Sequence, residues 1–170
     1  QVNRAPQLDP QGFSGDEDTL ITGQIIATDI ENDALTYSLV GQPTNGTITL
    51  DPITGSFVYT PNANYNGPDS FIVTVTDDHG NSTTTTMGLT IVSVNDAPVS
   101  NDQSLTTPED TPVTGQVVAT DVEGDTLSYT ISTTATSGTV TLNPATGAFV
   151  YTPSANFNGS DSFVVTVADG

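Results

Sequence analysis

Cysteine is absent from the 170 residues. No disulfide can brace the fold, so a secreted domain of this kind needs another cross-link, and a metal ion is the natural candidate. Lysine is absent too, and one arginine, Arg4, faces 20 acidic residues for a formal charge of −19. A chain with no basic surface has nothing to release counterions from phosphates, which argues against nucleic acid as a partner. Anionic membranes repel it as well. No apolar run approaches the roughly 20 residues of a membrane span, and no signal peptide is visible. Apolar residues make up only 34% of the chain, so the core has to be built economically from well-placed Val, Ile, Leu, Phe and Tyr. Thr, Ser, Asn, Gly and Pro fill much of the rest, a mix that suits short strands and many turns. The abrupt start and stop read as an excerpt from a longer protein.

What is present is a repeat. Shifting the chain by 92 residues aligns it with itself without a gap. Ala27-Thr28-Asp29 meets Ala119-Thr120-Asp121, Phe57-Val58-Tyr59-Thr60-Pro61 meets Phe149-Val150-Tyr151-Thr152-Pro153, and Asp69-Ser70-Phe71 meets Asp161-Ser162-Phe163. The expected organisation is one repeat over 1–94, a short linker at 95–98 and a second repeat over 97–170. Asn95-Asp96-Ala97-Pro98 marks the boundary, and Asn3-Arg4-Ala5-Pro6 is the equivalent entry of the first repeat.

Within the first repeat, alternating runs predict strands over Thr19–Thr28, Leu35–Val40, Gly46–Leu50, Ser56–Thr60, Ser70–Thr76 and Ser82–Val94, with an entry strand near Gln7–Ser14. Asp51-Pro52-Ile53-Thr54-Gly55 reads as a hairpin turn whose glycine takes positive φ. Seven short strands in this length point to an all-β fold, a seven-stranded Greek-key sandwich, present twice in tandem. The expected core is Ile26, Leu35, Tyr37, Leu50, Phe57, Tyr59, Phe71, Val73 and Val75. Gly170 aligns with Asp78, so the second repeat lacks the counterpart of His79–Val94 and with it the last strand. That strand buries Met87, Leu89 and Ile91 if alternation holds. The second repeat is therefore expected to have a gap in its core and an unpaired edge beside Ser162–Val167. Residues that follow in a longer protein are the expected way of filling it, in preference to a strand donated by another chain.

The acidic residues fall at strand ends. With strands running alternately down and up, Glu17, Asp18 and Asp69 lie at the base of the first repeat, and Asp29, Glu31, Asp33 and Asp77 at its top. Asn95 and Asp96 occupy the linker, and Asp121, Glu123, Asp125 and Asp169 the top of the second repeat. The expected metal set is the central one: Glu17, Asp18, Asp69, Asn95, Asp96, Asp121, Glu123, Asp125 and Asp169. A second top site would use Asn3, Asp29, Glu31, Asp33 and Asp77. Carboxylates this crowded, with no Lys or Arg beside them, require a counterion. Hard oxygen ligands in this number suit Ca²⁺ better than Mg²⁺, and zinc lacks its ligands. The competing reading is a solvated, self-repelling acidic surface.

Ala119-Thr120-Asp121-Val122-Glu123 with Tyr129 downstream resembles the A-x-D-x-D…Y segment of cadherin repeats, and Asn95-Asp96-Ala97-Pro98 the core of their D-x-N-D-N-A-P linker. Glu17 and Glu109 resemble the family's base glutamate, and Asp77 and Asp169 its late top aspartate. Tyr151-Thr152-Pro153…Asn156-Phe157-Asn158-Gly159…Asp161-Ser162-Phe163 is most similar to the cadherin-like repeats of bacterial adhesins and giant surface proteins. The resemblance covers nearly the whole chain. It implies calcium held at module junctions that stiffens an extracellular, cell-surface array. Three departures stand out. Glu123 replaces the second Asp of the D-x-D pair, the D-R-E base motif is absent, and Arg4 stands where Asp96 stands in the second repeat.

Catalysis has little to work with. His79, the only histidine, lies in Asp77-Asp78-His79-Gly80, which reads as a turn, and no enzyme is expected. Asn45-Gly46-Thr47, Asn81-Ser82-Thr83 and Asn158-Gly159-Ser160 match the glycosylation sequon, a match that arises often by chance in so Thr/Asn-rich a chain. The function expected is a calcium-stiffened spacer of a long adhesin whose partners are neighbouring repeats of the same chain. The alternative is an adhesion module that binds cell-surface polysaccharide or another adhesin.

Overall fold

The structure, a computed structural model, describes residues 2–170. It divides into two units, Gln1–Val94 and Asn95–Gly170. All regular structure among the described residues is β, and no helix is long and apolar enough to cross a membrane.

The first unit carries seven strands: β1 (Gly12–Asp16), β2 (Ile21–Gln24), β3 (Thr36–Gly41), β4 (Gly46–Leu50), β5 (Ser56–Pro61), β6 (Gly67–Thr76) and β7 (Ser82–Val92). They form two sheets, in the orders β1-β7-β6-β3 and β2-β5-β4. Every pairing in them is antiparallel except β1 with β7, which is parallel from Gly12↔Gly88 to Asp16↔Val92. Alternation makes the sandwich. In β5, Phe57, Tyr59 and Pro61 turn inward while Ser56, Val58 and Thr60 face out. In β7, Met87, Leu89 and Ile91 are buried, as the alternation of that segment predicts. Leu8, Ile21, Ile25, Ile48, Phe71, Val73 and Val75 complete the core, and Leu35, Tyr37 and Leu50 pack against it half-buried. Each fully buried side chain of this size is worth roughly 1.5–3 kcal/mol.

One expected core residue is misplaced. Ile26 is 60% exposed, whereas Ile25 is 1% exposed. Counted from Ile21, the period of two brings Ile25 inward and sends Ile26 out. The β4–β5 turn is as expected. Asp51 Oδ1 accepts from the N–H groups of Ile53 and Thr54, each at 2.8 Å, and Gly55 takes φ 72°. A Cβ there would sit 2.9 Å from the Ile25 carbonyl oxygen.

The second unit contains β8 (Val99–Ser100), β9 (Val113–Gln116), β10 (Ala119–Thr120), β11 (Ser128–Thr133), β12 (Gly138–Leu142), β13 (Ala148–Pro153) and β14 (Val164–Ala168). The sheet β12-β13-β9 repeats β4-β5-β2, with β11-β14 repeating part of β3-β6 and β10-β8 the Gln7↔Thr28 bridge. What is lost follows one rule. Residues 104–108, which align with β1, form no strand, and residues 159–163, which align with the first half of β6, form none either. In the first unit β1 and residues 67–71 of β6 pair only with β7, whereas residues 72–76 also pair with β3. Only Tyr129 and Phe149 of the second unit reach full burial among its large apolar residues. An open cavity of about 730 Å³ lies where β7 would lie, lined by the 100–109 segment, Phe149, Tyr151 and residues 157–165.

Candidate metal centre

At the top of the first unit the loop after β2 folds around one oxygen of Asp29. Asp29 Oδ1 accepts from Glu31 N at 2.8 Å and Asp33 N at 3.2 Å, with Asn32 in the left-handed region at φ 61°. Its other oxygen, Oδ2, is buried and accepts no hydrogen bond, and the same holds for Glu31 Oε2. The loop after β6 places Asp77 beside it, 5% exposed. Asp77 Oδ1 accepts from His79 N and Asn81 N at 2.9 and 2.8 Å, and Oδ2 from the amides of Asn3 at 2.8 Å and Asn81 at 3.1 Å. Burial pushes the Asp77 carboxyl up, but these donors, Asn81 foremost, hold it below the usual carboxylate range. Asp29, Asp33 and Asp77 each offer an oxygen, and the three lie within 4.8 Å of one another.

His79, on the exposed turn, has Nδ1 2.7 Å from Asp78 Oδ1 and 3.2 Å from Asp33 Oδ2. The charges of Asp78 and then Asp33 raise its pKa above the ordinary value. His79 is therefore a partial counter-charge for Asp33, in keeping with the polar turn expected of it. Among the described residues, no ion pair of this kind is formed by Asp29 or Glu31. A set of all-oxygen donors in which several oxygens are buried without a donor fits a hard cation such as Ca²⁺.

The second unit repeats this top in looser form. Asp121 Oδ1 accepts from Asp125 N at 2.9 Å, and Asp121 Oδ2 is buried without a donor, as is Glu123 Oε1. Glu123 Oε2 accepts from Asp96 N at 3.1 Å, and the Asn95 amide donates to Asp169 Oδ2 at 2.6 Å. Asp125 is exposed. Among the described residues, only the first unit brings three ligand atoms of acidic or histidine side chains within 4.8 Å.

At the base of the first unit the expected ligands separate into different roles. Glu17 is 2% exposed; Oε1 accepts from Val94 N at 2.8 Å, and Oε2 is buried with no donor. Asp18 is exposed, at φ 56°, and its Oδ1 accepts from Asn64 N at 3.0 Å. Asp69 departs from the expectation. Its Oδ1 accepts from Thr44 N and Ser70 N, and its Oδ2 from Asn45 N and the Tyr59 hydroxyl, at 2.8–3.0 Å. Burial raises its pKa, yet these four donors leave it below the usual range. Asp69 is a structural lock that joins the β3–β4 loop to β6. Asp161 repeats it with Thr136, Ser137, Ser162 and Tyr151. This lock was not expected from the sequence, where its signal is a Tyr and an Asp recurring at one spacing in both repeats. Glu109, the counterpart of Glu17, is exposed.

Two sheets of this topology, with acidic loops at the ends of each unit, define an immunoglobulin-like, cadherin-like repeat. The bacterial Ig domain family matches residues 3–90 and 95–170, and the chain belongs to that family, in two tandem copies. Among solved structures the chain is similar to Drosophila N-cadherin EC1-4, at 22% identity and a TM-score of 0.64, covering 98% of this chain and 46% of that one. It is also similar to protocadherin gammaB7 EC3-6, at 18% identity and a TM-score of 0.59, covering 99% of this chain and 49% of that one. The chain thus spans about half the length of these structures. No curated protein sequence matches it.

Proposed function

We propose that the two repeats are calcium-binding spacers of an extracellular surface protein, with no catalytic role, and that bound calcium stiffens an array of them. The observation that carries this reading is the set of buried carboxylate oxygens without donors at Asp29, Glu31, Asp121 and Glu123, in a chain with no lysine and a single arginine. A fold that leaves such oxygens dry pays a desolvation penalty unless a cation meets them. The likeness of the fold to cadherin ectodomains and the family membership support an extracellular setting.

Calorimetric titration of the 170-residue chain with CaCl₂, paired with thermal melts in calcium and in chelator, tests it. Sites of extracellular modules have Kd values of about 10⁻⁴–10⁻³ M. Ten-fold excess over Kd adds roughly 1.4 kcal/mol per site. Identical melting curves in calcium and in chelator would defeat the reading and leave the acidic surface as a solvated one.

A further inference from the structure

We propose that Asp33, Asp78 and His79 form a further cation site in the first unit, one that takes a divalent transition ion of the Cu²⁺ class. It is built around the one imidazole of the chain, a donor that the calcium reading does not use, and it does not depend on that reading. The donors come from two loops, Asp33 from the loop after β2 and Asp78 and His79 from the β6–β7 turn. His79 Nδ1 lies 2.7 Å from Asp78 Oδ1 and 3.2 Å from Asp33 Oδ2. One ligand atom from each of the three residues lies within 4.8 Å of the others. Donors held at about 2.1 Å from a common ion, at right angles to one another, are about 3 Å apart, so these separations are those of neighbouring ligands on a single ion. The turn that carries the ring is fixed by Asp77, whose Oδ1 accepts from His79 N at 2.9 Å and Asn81 N at 2.8 Å.

An ion pair alone does not account for this arrangement. A single Nδ1–H can be aimed at one oxygen, and here two carboxylates flank the nitrogen. Asp33 Oδ2 is buried and accepts no hydrogen bond, although the ring nitrogen is 3.2 Å away. A cation seated among the three atoms meets that oxygen, the Asp78 oxygen and the nitrogen lone pair together. The donor set selects the ion. Oxygen-only sets suit Ca²⁺, whereas an imidazole nitrogen suits Cu²⁺, Ni²⁺ or Zn²⁺, and affinity at a mixed nitrogen and oxygen site is highest for Cu²⁺. The side chains of Asp78 and His79 are 55% and 59% exposed, so the ion enters directly from solvent and water completes its shell. Asp33, at 16% exposure, is the inner wall of the site and its one residue in common with the Asp29, Asp33 and Asp77 set.

The test titrates the 170-residue chain with CuCl₂, followed by electron paramagnetic resonance and by NMR of the histidine ring, whose signals are unambiguous in a chain with one histidine. The expected result is one tightly bound Cu²⁺ coupled to one imidazole nitrogen, with the His79 ring signals broadened first. His79→Gln should lose the nitrogen coupling and bind at least about ten-fold more weakly, and Asp78→Asn should also weaken binding. Both positions are exposed, so thermal melts of the two variants should match the parent and separate lost binding from lost folding. Asp29→Asn removes a carboxylate from the neighbouring set but not from this one, and should leave the Cu²⁺ affinity unchanged. The proposal fails if bound Cu²⁺ shows no imidazole coupling or if His79→Gln binds as tightly as the parent. It fails too if Asp29→Asn abolishes binding, which would seat the ion among the carboxylates alone.

Discussion

Phe71 and Phe163 hold the same place in two copies of one repeat, yet Phe71 is 1% exposed and Phe163 is half-buried. The sequences around them do not account for the difference, since Asp-Ser precedes both and, after Ile72 or Val164, Val-Thr-Val follows both. The difference comes from a neighbour. Where β7 lies across the sandwich, it turns residues 12–16 and 67–71 into strands and seals twelve apolar residues into one core. Without such a neighbour the same residue types stay irregular and wet. Strand propensity here is a property of the pairing and packing environment rather than of the segment.

Substitutions can sharpen that contrast, and the largest effect belongs to the aromatic pair. Phe71→Ala should cost the first unit about 3–5 kcal/mol, while Phe163→Ala should cost the second unit distinctly less, since its ring is already part-solvated; two-domain thermal melts read both. Met87→Ala, at about 2–5 kcal/mol, should also raise hydrogen exchange in β1 and in residues 67–71, moving the first unit toward the second. The contrast should vanish at the β4–β5 turn. Gly55 and Gly147 both take φ 72°, and a Cβ at either would sit under 3.0 Å from a carbonyl oxygen, so Gly→Ala should cost more than the about 1–2 kcal/mol of the left-handed conformation alone, by a similar amount at both. Unequal losses would show that the two turns are not equivalent.

Acid titration sets the two locks side by side. Asp69 and Asp161 both titrate below the usual carboxylate range, burial opposed by N–H and tyrosine donors. Their contribution is fully present above the unfolded carboxyl pKa of about 3.9 and is lost as the pH falls through the depressed folded value. Both units should therefore keep this contribution down to about pH 4 and lose it below. Asp69→Asn should blunt the acid response of the first transition alone, and Asp161→Asn that of the second; circular dichroism melts at stepped pH follow both. The smallest effect is expected at Ile26→Thr, within about 0.5 kcal/mol, against a large loss for Ile25→Ala.

Much of this was legible in the sequence. The repeat, the strand alternation and the burial of Met87, Leu89 and Ile91 all follow from side-chain period, which depends on the chain alone. The phase of that period failed once, at Ile25-Ile26, because two isoleucines in succession satisfy either face equally. The acidic residues were harder. Topology places Asp29 and Asp77 at one end and Glu17 and Asp69 at the other. It does not say which carboxylates the backbone itself will occupy. Asp69 is taken up by three N–H groups and a tyrosine hydroxyl, whereas Glu17 keeps an oxygen without a donor. That division depends on how the β3–β4 loop curls, and the Tyr59–Asp69 and Tyr151–Asp161 spacing shared by both repeats was the trace of it in the sequence.

The parallel alignment of β1 with β7 has a mechanical consequence. Because both strands run the same way, the polypeptide enters the first unit at one end and leaves it at the other. Tension on the chain then acts along the two strands in opposite senses. From Gly12↔Gly88 to Asp16↔Val92 the backbone hydrogen bonds would be loaded together in shear instead of being unzipped one at a time. Five register pairs thus act as a clamp across the first unit.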